Sequence, residues 1–320
     1  MDTRRGFLKK SALAAMALSL SATPGCICSP TIQATVPLKS RRVNKALVAW
    51  YSQTGNTERN GRLLAITMRA KGIEVDSGSL GEIDKSKASQ YDLIVIGSPV
   101  FYYDAPDYVK AWLKSLPELK GTAAAAYVTF GGPEGNQHNA ACSILEGLVE
   151  RQGVPVAQRA FMNLGSYPLS WAGGRVSENT WANRGLPNEE TYKSVREYAA
   201  QVISQVEKGQ SGQFSKRLTL RETLTWLGPI YWTKRSIDKH HIVQRKCIAC
   251  GTCEEKCPAG AISPAKNSVD REACVLCFGC LNNCPAQAVY MEYDGEALMG
   301  YKDFIKLKNL KITLPVELRA

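Results

Sequence analysis

The chain has 320 residues, is 44% hydrophobic and 22% charged, and therefore has the composition of an ordinary globular protein of about two domains with ample core-forming residues. Its formal net charge of +11 would suit nucleic acid or anionic lipid. Part of that excess, Arg4, Arg5, Lys9 and Lys10 against Asp2, lies at the extreme amino terminus, and no basic stripe interleaved with aromatics accompanies the rest, so no nucleic-acid partner is expected.

Thr3-Arg4-Arg5-Gly6-Phe7-Leu8-Lys9 resembles the twin-arginine export consensus, and the short apolar run 11–22 follows it. Such a run is too short to span a bilayer but suits a signal peptide over residues 1–25; a disordered or amphipathic tail is the plainer alternative. Gly25-Cys26 resembles a lipoprotein cleavage junction, although Thr23 stands where Leu or Val is usual. Cys26 is accordingly either a lipidated membrane attachment or, with Cys28, a spare thiol. Residues 26–43 read as a linker.

Ala46-Leu47-Val48-Ala49-Trp50-Tyr51 has the apolar character of a buried strand. It leads into Ser52, Gln53, Thr54, Gly55, Asn56 and Thr57, and then into a helical pattern through Leu63, Leu64, Ile66 and Met68. A strand, a hydroxyl-rich loop and a helix amino terminus together make a cradle for phosphate. No lysine follows, so this is not a Walker loop. The loop resembles the phosphate-binding signature of flavodoxins.

Two further apolar runs, 91–97 and 123–130, are followed by Pro99, Val100, Phe101, Tyr102 and Tyr103 in one case and by Gly131, Gly132, Gly135 and Asn136 after Phe130 in the other. Loops at the carboxyl ends of parallel strands are where open α/β sheets bind ligands. The flavodoxin resemblance implies that these two loops hold the flat ring of FMN, aromatics on its faces and glycines at its polar edge. Alternating segments (strand 72–76, helix 106–116, helix 138–150, strand 154–163, helix 189–207) predict an α/β, doubly wound five-stranded parallel sheet over residues 44–208. Cys142 reads as a small core residue. The loop 164–186, with Trp171, Arg175 and Trp181, is long for a connection; it either covers the ring, receives a partner or is a surface excursion.

Residues 209–241 read as a linker of basic and aromatic character. His240 and His241 are adjacent, point apart on an extended chain, and read as structural or solvated. Over 242–293 the pattern C-x2-C-x2-C-x3-C-P occurs twice, as Cys247, Cys250, Cys253, Cys257 and as Cys274, Cys277, Cys280, Cys284. Three thiolates on a tight loop reach three irons of a cubane, and the fourth cysteine of each run serves the other cluster. This assigns Cys247, Cys250, Cys253 and Cys284 to one 4Fe–4S centre and Cys274, Cys277, Cys280 and Cys257 to a second. Zinc sites use paired C-x2-C motifs rather than triplets ending in Cys-Pro. The pattern resembles bacterial two-cluster ferredoxins, implying a small α+β domain. Residues 294–320 read as a solvated, lysine-rich extension.

The whole, from about residue 44 to 293, resembles the flavodoxin/ferredoxin fusion family. Two clusters with their thiolates carry about −4, and the flavin phosphate up to about −2, which removes most of the remaining positive charge. The resemblance implies an electron-transfer protein passing electrons between FMN, two 4Fe–4S clusters and an external redox partner, either a protein or a membrane complex. The leader places it in the periplasm or on the outer face of the cytoplasmic membrane. Two alternatives stay open: a reductase acting on a small organic or metal-ion substrate near Trp171, Arg175 and Trp181, and an assembly subunit with a degenerate flavin fold. No G-x-G-x-x-G motif supports direct use of a nicotinamide.

Overall fold

The computed structural model describes residues 31–132, 137–217 and 229–319. The export leader, Cys26, Cys28 and the basic aromatic stretch 218–228 lie outside them. Among the described residues no helix is long and apolar enough to cross a membrane.

Five parallel strands, β1 (Lys45–Trp50), β2 (Glu74–Ser79), β3 (Leu93–Pro99), β4 (Ala123–Phe130) and β5 (Val154–Met162), form a sheet in the order β2-β1-β3-β4-β5. The order reverses between β1 and β3, which opens a crevice at the carboxyl edge there. The inner strands are apolar along most of their length because both faces are covered. Ala46, Val48 and Trp50 of β1 face α1 (Asn56–Arg69) and α4 (Glu189–Glu207), where Leu63, Leu64, Met68, Tyr198 and Val202 pack. Leu47 and Ala49 face α2 (Asp107–Lys114) and α3 (Gln137–Val149), where Val109, Leu113, Ile144 and Leu148 pack. This is the α/β, doubly wound arrangement expected. Strand β2 starts two residues later than the apolar pattern suggests, because Gly72, with φ 79°, is still turning the chain out of α1.

A smaller α+β unit follows. Its sheet contains β6 (Ile237–Ile242), β7 (Val289–Tyr293) and β8 (Glu296–Ala297), antiparallel and in the order β8-β7-β6. Strand β6 begins inside the stretch read as linker. Ile237 and Ile242 are buried at its two ends and the charged residues between them are exposed, so the basic character of the sequence concealed it. Two short helices, α5 (Thr252–Glu255) and α6 (Gly279–Asn283), each grow out of a cysteine triplet.

The tail is not the solvated extension its lysines suggest. Helix α7 (Tyr301–Leu307) buries Tyr301 and Phe304 against the 164–186 loop. Phe304 stacks on Trp171 with ring centroids 4.2 Å apart and 10° between planes, and Trp171 Nε1–H donates to the Met299 carbonyl at 2.9 Å. Farther on, the Tyr192 hydroxyl donates to the Thr313 carbonyl, and the Arg196 guanidinium grips both oxygens of Glu317 at 2.8 and 3.0 Å. The leading linker is also packed: Thr31–Ile32 pairs antiparallel with Phe214–Ser215.

One close approach ties the sheet to the loop after β1. Tyr127 of β4 is fully buried, and its ring fills space left by the missing side chain of Gly97. A Cβ on Gly97 would lie 2.0 Å from Tyr127 Cζ. The same ring aims its hydroxyl at the Thr57 carbonyl, 3.1 Å away, at the start of α1. Gly97→Ala is therefore expected to overpack the core by about 1–3 kcal/mol and to displace the head of α1. Denaturant titration should show the lost stability, and cofactor content should fall with it; an unchanged midpoint would mean that Tyr127 moves freely.

Candidate functional site

At the carboxyl edge of β1, β3 and β4 the chain encloses a cavity of about 390 Å3. Ser52, Gln53, Thr54, Asn56 and Thr57 line it from the loop after β1, Pro99, Val100, Phe101, Tyr102 and Tyr103 from the loop after β3, and Phe130, Gly131 and Gly132 from the end of β4. Gly55 shapes the first loop rather than lining the cavity. Its φ of 85° turns the chain into α1, and as the N-cap it brings no side chain to the first N–H groups of the helix. Those groups and the surrounding hydroxyls suit an anion. The Thr57 and Thr129 hydroxyls share a hydrogen bond at 2.7 Å, and Asn56 Nδ2 donates to the Leu164 carbonyl at 3.3 Å. Gly135 and Asn136 lie outside the described residues.

The turn after β3 is closed by paired backbone hydrogen bonds between Phe101 and Asp104, 2.9 and 3.0 Å. It holds Tyr102 and Tyr103 at φ 48° and 70°, a left-handed conformation that is uncommon and costly for aromatic residues. Its effect is to turn Tyr102 into the cavity wall, where its hydroxyl donates to the Leu276 carbonyl at 3.2 Å. Burial, then the neighbouring Tyr167, holds the Tyr102 phenol well above its ordinary range, so it remains a hydrogen-bond donor. Burial likewise raises Tyr51, whose hydroxyl accepts from Gln53 Nε2 at 2.7 Å.

The remaining wall comes from the loop 164–186, as one reading of it expected, and from the second cysteine run, which the sequence marked for another role. Leu164, Ser166 and Tyr167 enter from the loop after β5, and Leu276, Cys277 and Phe278 enter from the second cysteine turn. Tyr167 is perpendicular both to Tyr102, at 6.3 Å, and to Phe278, at 5.4 Å, so the three rings form one continuous wall. Asn163 also lines the cavity; its Nδ2 donates to the Phe161 carbonyl, while its buried Oδ1 has no protein partner. The donor set thus fits a flat ring with a polar edge and an anionic tail. Trp171 is held in the stack with Phe304, and neither it nor Arg175 nor Trp181 lines the cavity. The Arg184 guanidinium covers Trp181 at 5.0 Å. Packing with the tail thus uses Trp171, whereas Arg175 and Trp181 are exposed outside the cavity.

The cysteines surround two cages. Cys247, Cys250, Cys253 and Cys284 line one, with Ile242, Ile248 and Val289. Cys257, Cys274, Cys277 and Cys280 line the other, with His240, Ile262 and Met291. Among the described residues no three His, Cys, Asp or Glu side chains are grouped as a single metal ion would need; a cubane instead spreads one thiolate to each iron. Matching turns build both cages. Ala249 and Gly251 in one, and Leu276 and Phe278 in the other, have φ between 48° and 73°, which directs backbone N–H groups inward. Ala261 N–H donates to Cys257 Sγ at 3.2 Å, and Ala288 N–H to Cys284 Sγ at 3.1 Å. Cys277 lines both its own cage and the large cavity, so this cage is the inner one. In the other, Cys250 is exposed and Ile248 is 66% exposed.

The sequence left His240 as structural or solvated and did not place it beside a cysteine. Its imidazole lines the inner cage with Nε2 3.6 Å from Cys280 Sγ, while His241 packs on Tyr290 at 5.1 Å. The pair does point apart, as expected of a strand, but only one of the two is solvated. Cys142 is buried in the core with its thiol pushed up to about 11 by burial, an unreactive state.

The 4Fe-4S binding domain family matches residues 240–263. A flavodoxin of Clostridium saccharobutylicum is 30% identical over 108 residues, covering 33% of this chain and 68% of that one. Among solved structures, a flavodoxin from the domain Archaea is 16% identical, covers 51% of this chain and 99% of its own, and has a TM-score of 0.38. Oxidised Flavodoxin 1 from Bacillus cereus is 18% identical with coverages of 50% and 98% and a TM-score of 0.39. Through its parallel-sheet domain, and with a 4Fe-4S binding domain joined behind it, the chain belongs to the flavodoxin family.

Proposed function

We propose that the protein is an exported electron-transfer flavoprotein in which FMN occupies the large cavity and two 4Fe–4S clusters occupy the two cages, in the order flavin, inner cluster, outer cluster, external partner. The observation that carries this reading is the shared wall: Cys277 faces the flavin cavity on one side and the inner cage on the other. When bound, FMN supplies a two-electron store and each cluster a one-electron relay. The residues around them do the rest. Ser52, Thr54 and Thr57 with the head of α1 hold the phosphate, Tyr102 and Tyr167 enclose the ring and exclude water, and the turn 276–278 keeps the inner cluster against it.

The outer cage supports exchange with a partner, since exposed Cys250 and Ile248 bring a ligand and an apolar contact to the surface. The Arg4-Arg5 leader supports export by the twin-arginine route, which carries folded cargo and so suits clusters assembled before export. Cys26, after Gly25, is the residue through which the chain would be lipid-anchored to the outer face of the membrane.

An anaerobic preparation is expected to contain about one FMN and about eight iron and eight sulfide per chain; full iron without flavin absorbance would overturn the flavin reading. Cys257→Ser should abolish or distort the EPR signal of the cluster built on Cys274, Cys277 and Cys280 and spare the other, and damage confined to the Cys247 cluster would break the crossed wiring. Replacing Arg4 and Arg5 together by lysine should retain the protein in the cytoplasm by cell fractionation; continued export would remove the twin-arginine assignment.

A further inference from the structure

The two cages are built on one face of one small sheet. In the pairing of β6 with β7, His240 faces Met291 and Ile242 faces Val289. Residues two apart on a strand share a face, and these pairs cover different cages: His240 and Met291 the inner, Ile242 and Val289 the outer. The backbone donors at Ala261 and Ala288 are equivalent. The side chains are not. The outer cage has the Thr252 hydroxyl 3.4 Å from Cys250 Sγ, where Cys250 is exposed and water would serve as well. The inner cage has an imidazole beside buried Cys280.

We propose that His240 sets the reduction potential of the inner cluster by donating its Nε2–H to Cys280 Sγ. The proposal rests on the reading that the inner cage holds a 4Fe–4S cluster. A cluster-bound thiolate has no proton to give, so the nitrogen is the donor and the Nε2–H form of the ring is selected. Reduction adds one electron to the cluster; no bond breaks, and the proton stays on Nε2. The added negative charge is unfavourable in a buried cage, and a donor to the thiolate stabilises the reduced state more than the oxidised one, which raises the potential. His240 therefore offsets the burial that comes from wedging this cluster between the flavin cavity and the sheet. It brings the inner potential toward that of the exposed outer cluster, so an electron moving between them meets a shallower step. His240 is a positioning residue and not a ligand.

The test is an EPR-monitored redox titration of the full-length protein with His240→Leu and His240→Gln, after iron, sulfide and FMN have been quantified. His240→Leu should shift the inner cluster's redox equilibrium toward the oxidised form by about tenfold, about 59 mV for one electron, and leave the outer cluster unmoved. His240→Gln, which keeps an N–H donor, should restore most of the shift. Unchanged potentials in a fully loaded His240→Leu protein, an equal shift in both variants, or a shift confined to the outer cluster would overturn the proposal. Wild-type protein that does not load about eight iron fails the two-cluster reading instead. Where His240→Leu does not load, the unaltered protein with isotope-labelled histidine nitrogens decides: the reduced inner cluster should show hyperfine coupling to one ring nitrogen, and its absence would overturn the proposal.

Discussion

The contact between the second cysteine turn and the strand-end loops governs the rest of the molecule. A cluster that exchanges electrons with a flavin must approach it closely, and here one short segment, Leu276 to Phe278, both lines a cysteine cage and walls the large cavity. The Tyr102 hydroxyl holds the Leu276 carbonyl. Gln53 of the phosphate loop lies so close to Gly279 that a Cβ there would come within 2.6 Å of its Nε2, which is why the second triplet continues with glycine where the first has Thr252. The left-handed backbone at Tyr102, Leu276 and Phe278 belongs to the same junction. Each such residue costs of order 1–3 kcal/mol, offset by the buried hydrogen bond and the ring contacts it makes available.

The same contact explains the asymmetry between two halves that the sequence writes as repeats. The repeated cysteine pattern produces matched turns, matched short helices and matched N–H···S bonds. What differs is surroundings. The inner cage is covered by Leu276, Phe278, Ile262 and, from the sheet, His240 and Met291, whereas the outer cage opens to solvent at Cys250. Buried charge is costlier than exposed charge, so the two cages have different electrostatics despite equal sets of four cysteines, and the side chains above them, His240 against Ile242, differ accordingly.

The sheet and the grouping of the cysteines into two cages were legible in the sequence because they depend on local rules. Apolar runs of strand length place β1, β3 and β4, and cysteine spacing sets which thiolates can reach one cage. The Ser52–Thr57 loop alone could equally be a plain helix cap, and it is readable because two further strand-end loops with aromatics and glycines follow it. Tyr167, Asn163 and His240 were not legible. The first two sit in aperiodic chain after a strand, where no pattern says which residue turns inward. His240 lies in a strand whose charged neighbours make it look solvated, and only the pairing with Met291 shows which face is covered. The tail misled for a similar reason: Tyr301 and Phe304 lie three apart, a helical face, but the lysines between and after them dominate the composition.

That tail changes how the two units are joined. A chain connection alone would raise the effective concentration of one redox centre near the other and leave their distance to chance. Instead the iron–sulfur unit is fastened on several sides. Asn282 Nδ2 donates to the Ser166 carbonyl at 3.3 Å, and Asn282 Oδ1 accepts from the Tyr301 N–H at 2.8 Å, so one buried amide bridges the cysteine helix, the loop after β5 and the tail. Trp171 stacks on the tail, and Arg196 on α4 holds Glu317 near the carboxyl terminus. A single partly exposed ion pair is worth little, about 0–1 kcal/mol, but it acts with buried aromatic packing and a satisfied amide bridge. The long loop 164–186 is thereby a structural clamp whose inner edge, Tyr167, is also the cavity wall. Fixing that edge fixes the distance between the large cavity and the inner cage, so the two units are held together by packing and hydrogen bonds and not by the chain connection alone.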